Sequence, residues 1–433
     1  MHRRHRAAGV PDLAGLKPEL AAMSRRVLMI AFHFPPLRGS SGIQRTLSFA
    51  RHLEESGWEP LILSAHPRAY PDVDLATDWR LPAGLVVERA MAFDTARQLS
   101  LAGRYPQWMA LPDRWASWQL GGIATGLSMI RRHRPAAIWS TYPIATAHNI
   151  GARLQQLSNL PWVADFRDPM AHDGYPADAR TWQSFKRVEE RVFARAARIC
   201  FTTEGARRFY AQRYPQRAAA LGVIGNGYDE TAFAGLAPQP RTDGSPWLLL
   251  HSGVVYPEWR DPAPLFAALR RLIDAGHPQA ARLRIRFRAS EHDDFVLTRA
   301  RQHGVSAQIE MAPPLPYREA LQEMLSADAL LVLQSDGCND QIPAKSYEYL
   351  RAAKPVLALA APGSETATLF AGAPQSCGAA LEADDAIETA LRTLLERLAD
   401  RSSPMADADW VQGFSRQAQA RTLGQMLDDA VTT

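Results

Sequence analysis

Arg26-Val27-Leu28-Met29-Ile30-Ala31-Phe32 is, after its arginine, an unbroken apolar run. A strand with one wet face alternates apolar and polar residues; a run apolar on both faces belongs to a buried parallel strand. The run opens into His33-Phe34-Pro35-Pro36-Leu37-Arg38-Gly39-Ser40-Ser41-Gly42, a loop rich in turn-forming residues. Residues 43–56 then place Leu47, Ala50 and Leu53 on one helical face, and Gly57 ends the helix. Leu61-Ile62-Leu63-Ser64 is the next strand. Strand, loop, helix, strand is the opening unit of a doubly wound α/β sheet.

The alternation continues outward. Strands are predicted at 136–141, 162–166, 198–203 and 220–224, with helices at 144–157, 181–197 and 204–213 between them. A Pro- and Gly-rich linker at 235–246 interrupts the pattern. It then resumes with strands at 247–252, 283–288, 308–311, 329–333 and 356–360 and helices at 264–275, 294–303 and 317–326. The reading is therefore two Rossmann-like halves, residues 24–235 and 247–405, with their strand ends facing a common cleft. Residues 406–433 supply a last helix. Residues 1–23 carry no pattern and read as a disordered or non-native extension, with Met23 a candidate start.

The second half carries the densest chemistry. Asp340-Gln341-Ile342-Pro343-Ala344-Lys345-Ser346-Tyr347-Glu348 reads as a polar loop entering a helix, with Pro343 suited to the first turn. Lys345 and Glu348 share a helix face. The helix start near Ala344 offers unpaired N–H groups and partial positive charge, a ready anion site. A cation and two acids converging there suit a nucleotide-sugar, phosphates toward Lys345 and hydroxyls toward the carboxylates. The plain alternative is a solvated loop before an ordinary amphipathic helix.

With Lys354-Pro355-Val356 following, this spacing resembles the acid-x7-acid motif of retaining GT-B glycosyltransferases, notably family 4. The family's first acid is usually Glu; here it is Asp340, one methylene shorter. The resemblance implies an α/β protein of the GT-B fold. It implies a metal-independent transferase that uses a nucleotide-sugar as co-substrate, needs no other cofactor and retains anomeric configuration. Glu348 would hold the nucleotide ribose and Asp340 the transferred sugar.

His251-Ser252-Gly253-Val254, running on to Arg260, resembles the family's Gly-Arg-x(4)-Lys loop, with Val254 where an Arg is expected. Ser252 and Gly253 would approach the phosphates, and Arg260 would clamp them with its planar fork. A surface pair of Arg260 with Asp261 or Glu258 is the alternative. In the first half, Gly39 and Gly42, leading to Arg45, resemble the family's Phe-Pro-Pro…Gly-Gly loop near donor phosphate and acceptor; a turn that needs glycine for geometry is compatible with that. Asp165-Phe166-Arg167-Asp168-Pro169 closes a strand and resembles a signature of a polysaccharide-biosynthesis branch. Asp165 and Asp168 are catalytic candidates that would orient an acceptor hydroxyl. Arg45, Arg167, His148 and His172 are candidates for the acceptor itself, a saccharide or lipid-linked sugar. An internal Asp–Arg pair and structural histidines are the alternatives. Base recognition would fall to backbone around Ala312-Pro313-Pro314-Leu315.

Composition narrows the field. Hydrophobic content is 46% and charged content 22%, ordinary for a globular protein, and the net charge is +4. No basic run with interleaved aromatics points to nucleic acid. Three cysteines, far apart, form no metal spacing and suggest a reducing, cytoplasmic setting. No apolar run approaches the ~18–20 residues of a membrane span, and Arg3, Arg4 and Arg6 lack the apolar stretch of a signal peptide. Asp72-Val73-Asp74 has a metal–diphosphate form but lies outside any frame that would use it, so no metal site is assigned. Residues 99–134 mix Trp108, Trp115, Trp118 and several arginines. They suit peripheral contact with the inner membrane face, an apolar acceptor channel, or packing between helices. Two other classes stay open: a GT-B-shaped scaffold without turnover, and another two-Rossmann enzyme such as a nucleotide-sugar epimerase. The absent dinucleotide fingerprint argues against a nicotinamide oxidoreductase.

Overall fold

The computed structural model describes residues 25–39, 41–76, 79, 81–242, 244–400 and 404–432. The extension read at 1–23, and Met23 with it, lies outside them. Two all-parallel sheets organise the chain. The first has seven strands: β1 (Arg25–Ile30), β2 (Trp58–Ala65), β3 (Val86–Ala90), β4 (Ala137–Thr141), β5 (Trp162–Arg167), β6 (Arg198–Phe201) and β7 (Leu221–Val223). Their order is β3-β2-β1-β4-β5-β6-β7. The second has six: β8 (Trp247–Ser252), β9 (Leu283–Arg288), β10 (Ile309–Ala312), β11 (Ala329–Leu333), β12 (Val356–Leu359) and β13 (Cys377–Ala379). Their order is β10-β9-β8-β11-β12-β13. These are two doubly wound sheets of the GT-B arrangement, each reversing direction once, at β1/β4 and at β8/β11.

The apolar runs explain the sheets. Along β1, Leu28 and Ile30 enter one core while Val27 and Met29 enter the core on the opposite face. Leu249 and Leu250 divide the same way at β8. The central strands are covered by helices above and below, so both of their faces must be apolar.

Two features position the site. The last helix, Arg416–Thr432, packs on the first sheet, not the second: Ala420, Leu423 and Leu427 join Val27, Met29 and Trp139 in one core. Trp58 Nε1 donates to Asp428 Oδ1 at 2.9 Å. The second feature places two of the tryptophans read at residues 99–134. Trp118 is fully buried, and Trp115 packs against Phe32 and donates its indole N–H to Ala69 O at 3.0 Å. Helix Trp118–His133 lies so close to helix Thr146–Ser158 that a Cβ on Gly122 or Gly126 would stand 2.5 Å from Ile150 or Leu154. Trp118 therefore belongs to the core and Trp115 packs against its edge, the packing between helices that the sequence left open. Among the described residues no helix is long and apolar enough to cross a membrane.

Candidate active site

One half of the cleft is assembled at the β8/β11 switch point. After β11, buried Gln334 donates to Gln341 O at 3.0 Å and also to Cys338 O, and Thr366 Oγ1 reaches Gln341 O at 3.1 Å. These bonds pin the loop that delivers the chain to helix Lys345–Ala352. On its first turn Lys345 Nζ stands 2.8 Å from Glu348 Oε2. Glu348 is only 6% exposed. Its other oxygen accepts from Tyr317 Oη at 2.8 Å, and the Lys345 ammonium lies 5.4 Å from the Tyr317 ring centre. Burial, then the neighbouring carboxylate, raises the Tyr317 pKa, so the phenol keeps its proton and donates.

Opposite the helix, Tyr349 Oη accepts the Ser252 backbone N–H at 2.9 Å and ties the β8 loop to the helix. Arg260 folds back over this loop, donating to Val254 O at 2.7 Å with Tyr256 beneath it. Its alternative role, a surface pair with Asp261 or Glu258, is not what forms: Asp261 pairs with Arg299 at 2.8 Å. Burial lowers the Arg260 pKa, the mark of a cation whose solvation is incomplete. Between loop and helix lies a cavity of about 160 Å³ lined by Ser252, Gly253, Arg260, Ala344, Lys345 and Ser346. Ser346 Oγ is fully buried there without a hydrogen-bond partner among the described residues. A buried hydroxyl costs free energy unless something arrives to bond it. His251 also lines the cavity, and burial holds its pKa down to about 4.

Gly253 contributes shape instead of a donor. Its φ of 141° is open to glycine alone, while its N–H is already given to Arg288 O at 3.0 Å. A second cavity, of about 300 Å³, joins the two halves, with Arg45, Asn226, Tyr317, Lys345, Glu348 and Arg416 around it.

The other half is assembled where β1, β4 and β5 end. Asp165 is wholly buried. It takes Arg45 Nε at 2.8 Å and Nη2 at 3.0 Å, with Thr141 Oγ1 at 3.0 Å. Arg45 gives two more N–H groups to Ile224 O and Gly225 O, at 2.9 and 2.8 Å. This internal pair locks helix Ser41–His52 to β5 and to the strand-end segment after β7, and it leaves Asp165 no face toward an acceptor.

Arg167 is different. A register shift between Asp165 and Arg167 ends the regular ladder of β5, and Arg167 adopts a left-handed φ of 60°. Such backbone persists only where the surroundings enforce it. Thr202 enforces it, giving both its N–H and its hydroxyl to Arg167 O, at 2.8 and 2.9 Å. The guanidinium then meets Gly42 and His33: a Cβ on Gly42 would stand 2.8 Å from Arg167 Nη1 and 2.6 Å from His33 Nδ1. Gly42 is thus a glycine for close approach, whereas Gly39 has open space and a φ of 79°, a glycine for the turn. Burial, then Arg167, holds the His33 pKa down to about 4, so this imidazole is neutral at pH 7. Asp168 beside it is held above the usual carboxylate range by burial.

Three candidates fall elsewhere. His148 is fully buried, 2.8 Å from Ser140 Oγ and stacked on Phe166; it supports β4 and β5 and reaches no acceptor. His172 stacks on Tyr175 in the loop after β5. Asp340 turns toward the first half: its carbonyl accepts from Thr203 Oγ1 at 2.6 Å. Its carboxylate lies against Gly205, whose added Cβ would meet Asp340 Oδ1 at 2.5 Å. With Arg208 paired to Glu365 at 3.0 Å, this forms an interdomain seam beside the cleft. Asp74 caps its own loop, accepting from Ala76 N–H.

Sequence reading assigned no role to Tyr317, His33 or Ser346. Each had a positional signal: Tyr317 follows β10, His33 follows β1, and Ser346 sits on the first turn after the β11 loop. All three lie on the segments that follow the C-terminal ends of strands, where open α/β sheets hold their ligands.

Residues 41–227 match the sequence model described as a glycosyl transferase 4-like domain. A search of curated proteins found no match. Among solved structures, sucrose-phosphate synthase from Thermosynechococcus elongatus is 15% identical with a TM-score of 0.62, over 93% of this chain and 98% of that one. HepE from Anabaena, in complex with UDP-glucose, is 14% identical with a TM-score of 0.60, over 93% and 99%. A UDP-N-acetylglucosamine 2-epimerase is 11% identical with a TM-score of 0.53, over 92% and 93%. At these identities the likeness is one of fold.

Proposed function

We propose that this chain, a GT-B protein whose first half is a glycosyl transferase 4-like domain, moves a sugar from a nucleotide-sugar to a saccharide or lipid-linked acceptor, with retention and without a metal. The observation that carries the reading is the cavity between the β8 loop and helix Lys345–Ala352. Two cations, Arg260 and Lys345, a helix start and an unbonded Ser346 hydroxyl surround a space suited to a diphosphate. Preorganised positive charge where negative charge develops is usually the largest catalytic contribution. The bond from the anomeric carbon to phosphate oxygen breaks as the acceptor oxygen bonds to that carbon from the same face. The acceptor proton passes to the departing phosphate, and Arg260 and Lys345 hold the new charge. Glu348 orients Lys345 and, with Tyr317, meets the ribose. Across the cleft Arg167, Asp168 and neutral His33 face the acceptor. The cytoplasmic face of a polysaccharide or glycoconjugate pathway is the setting this supports, through the resemblance of the Asp165–Pro169 segment.

The test is calorimetric titration with UDP, GDP, ADP and dTDP, with and without magnesium, on wild type and Glu348→Ala. One nucleotide should bind independently of magnesium and more weakly to the variant. Binding of none favours a scaffold. Conversion of the donor's sugar to its epimer without acceptor favours an epimerase.

A further inference from the structure

Tyr256 and Trp259 stand in water on the loop after β8, next to Arg260, and are 40% and 51% exposed. Their ring centres are 5.8 Å apart, with the planes at 57°. The loop that carries them is fixed. Val255 is fully buried and gives its N–H to Ser290 O at 3.0 Å. The N–H groups of Trp259 and Arg260 both return to Tyr256 O, at 3.0 and 2.8 Å. Trp259 O accepts from the Ser335 N–H, just past β11, at 2.9 Å. The loop thus bridges β8 and β11 at the switch point, where open α/β sheets hold their ligands. A floppy loop could fold its rings away; a braced turn presents them, and burial against a ligand would recover the free energy of their exposure.

The neighbours of the pair identify the part of a ligand that would reach it. The Arg260 guanidinium lies 5.2 Å from the Tyr256 ring centre and lines the smaller cavity with Lys345. Lys345 also borders the larger cavity between the halves, together with Glu348 and Tyr317; Arg260, Tyr256 and Trp259 do not. A diphosphate held by Lys345 and Arg260 therefore has its nucleoside toward Glu348 and its other end toward the two rings. The residue expected at that other end is engaged elsewhere: Asp340 gives its carbonyl to Thr203 and lays its carboxylate against Gly205 of the first half. A pyranose ring has a face of C–H groups carrying partial positive charge, which complements the negative face of an aromatic ring. Its hydroxyls lie around the edge. Glu258, between the two aromatics in sequence and exposed, offers a carboxylate that accepts from them.

We propose that Trp259, with Tyr256 beside it, is the platform on which the pyranose of the nucleotide-sugar stacks, so that the sugar is held by an aromatic face where an acid was expected. This rests on the reading that the cleft takes a nucleotide-sugar. The test is calorimetric titration of the full chain with UDP, GDP, ADP and dTDP and with the glucose conjugate of each, on wild type, Trp259→Ala and Trp259→Phe. For the nucleotide that wild type binds, Trp259→Ala should weaken the glucose conjugate about tenfold and the bare diphosphate less than about twofold. Trp259→Phe should restore most of the loss. The melting temperature should not change, since the indole belongs to no core. Equal weakening of conjugate and diphosphate overturns the proposal in favour of a contact with base or phosphate. An unchanged conjugate affinity overturns it outright, as does failure of wild type to bind the conjugate of a diphosphate it holds. In each of these cases nucleotide binding by wild type leaves the reading of the cleft intact. Binding of no diphosphate by wild type removes that reading, and the platform with it.

Discussion

Replacing Asp165 by asparagine keeps the shape of the side chain and removes its charge, leaving Arg45 buried without a counter-ion. The pair is 5% and 0% exposed at the side chains, with two contacts of 2.8 and 3.0 Å. At an effective dielectric constant of about 20, opposite charges some 4 Å apart attract by about 4 kcal/mol. Removing one partner of a buried pair costs about 3–5 kcal/mol. The two figures agree, so Asp165→Asn should destabilise the first domain by about 3–5 kcal/mol. Trp58, Trp118, Trp139 and Trp162 are all fully buried in that domain, so tryptophan emission reports its unfolding. With a urea slope of about 2 kcal/mol per molar, the midpoint should fall by about 1.5–2.5 M. An Arg45→Met, Asp165→Leu double variant should recover most of the loss, because no charge is then stranded. A midpoint that moves by less than about 0.5 M would refute the structural role, and lost turnover at unchanged stability would return Asp165 to the chemistry.

The remaining predictions concern the cleft and pH. Tyr317→Phe removes one hydrogen bond to a buried carboxylate and should weaken binding of the preferred nucleoside diphosphate about tenfold, read by calorimetry; an unchanged affinity separates Glu348 from the donor. Gly42→Ala drives a Cβ into His33 and Arg167, so turnover should fall at least tenfold while nucleotide affinity holds; equal loss of both would mean the whole loop has collapsed. Burial holds His148 and His251 at about 3 and about 4, whereas the unfolded chain protonates them near 6.5. Their contribution to stability is therefore complete above about pH 6.5 and is lost as pH falls toward 4. It declines by about 1.4 kcal/mol per group between pH 7.5 and 5.5. His148→Gln should shrink the fall in urea midpoint over that interval, and an identical fall in the variant disproves the assignment.

The strands were legible because burial on both faces leaves an unbroken apolar run, as at Val27–Ile30 and Ala329–Leu333. The edges were not. β3 carries Glu88 and Arg89 on a partly wet strand, and β13 is three residues long with a glycine at its centre. Helix Lys345–Ala352 was legible because a proline, a cation and an acid fall within six residues of sequence. What escaped were meetings between distant segments. Tyr317 reaches Glu348 across 31 residues, and Arg45 reaches Asp165 across 120. Local spacing suggests which residues carry chemistry; only packing decides which of them face each other. Asp165 was read as a cleft residue because strand ends point there, yet it turns to Arg45, which itself lines the cavity between the halves.

The return of helix Arg416–Thr432 to the first sheet has a consequence for how the chain is made. Val27, Met29, Phe49 and Trp58 share a core with Ala420, Leu423 and Leu427, contributed nearly four hundred positions later. A domain synthesised first ordinarily folds first. Here the first domain keeps an uncovered apolar face until the ribosome has released the last helix. The second domain, whose strands run from Trp247 to Ala379, can close while its predecessor waits. Birth order and completion order are reversed, and through the interval between them the first domain's apolar face stays open to wrong contacts.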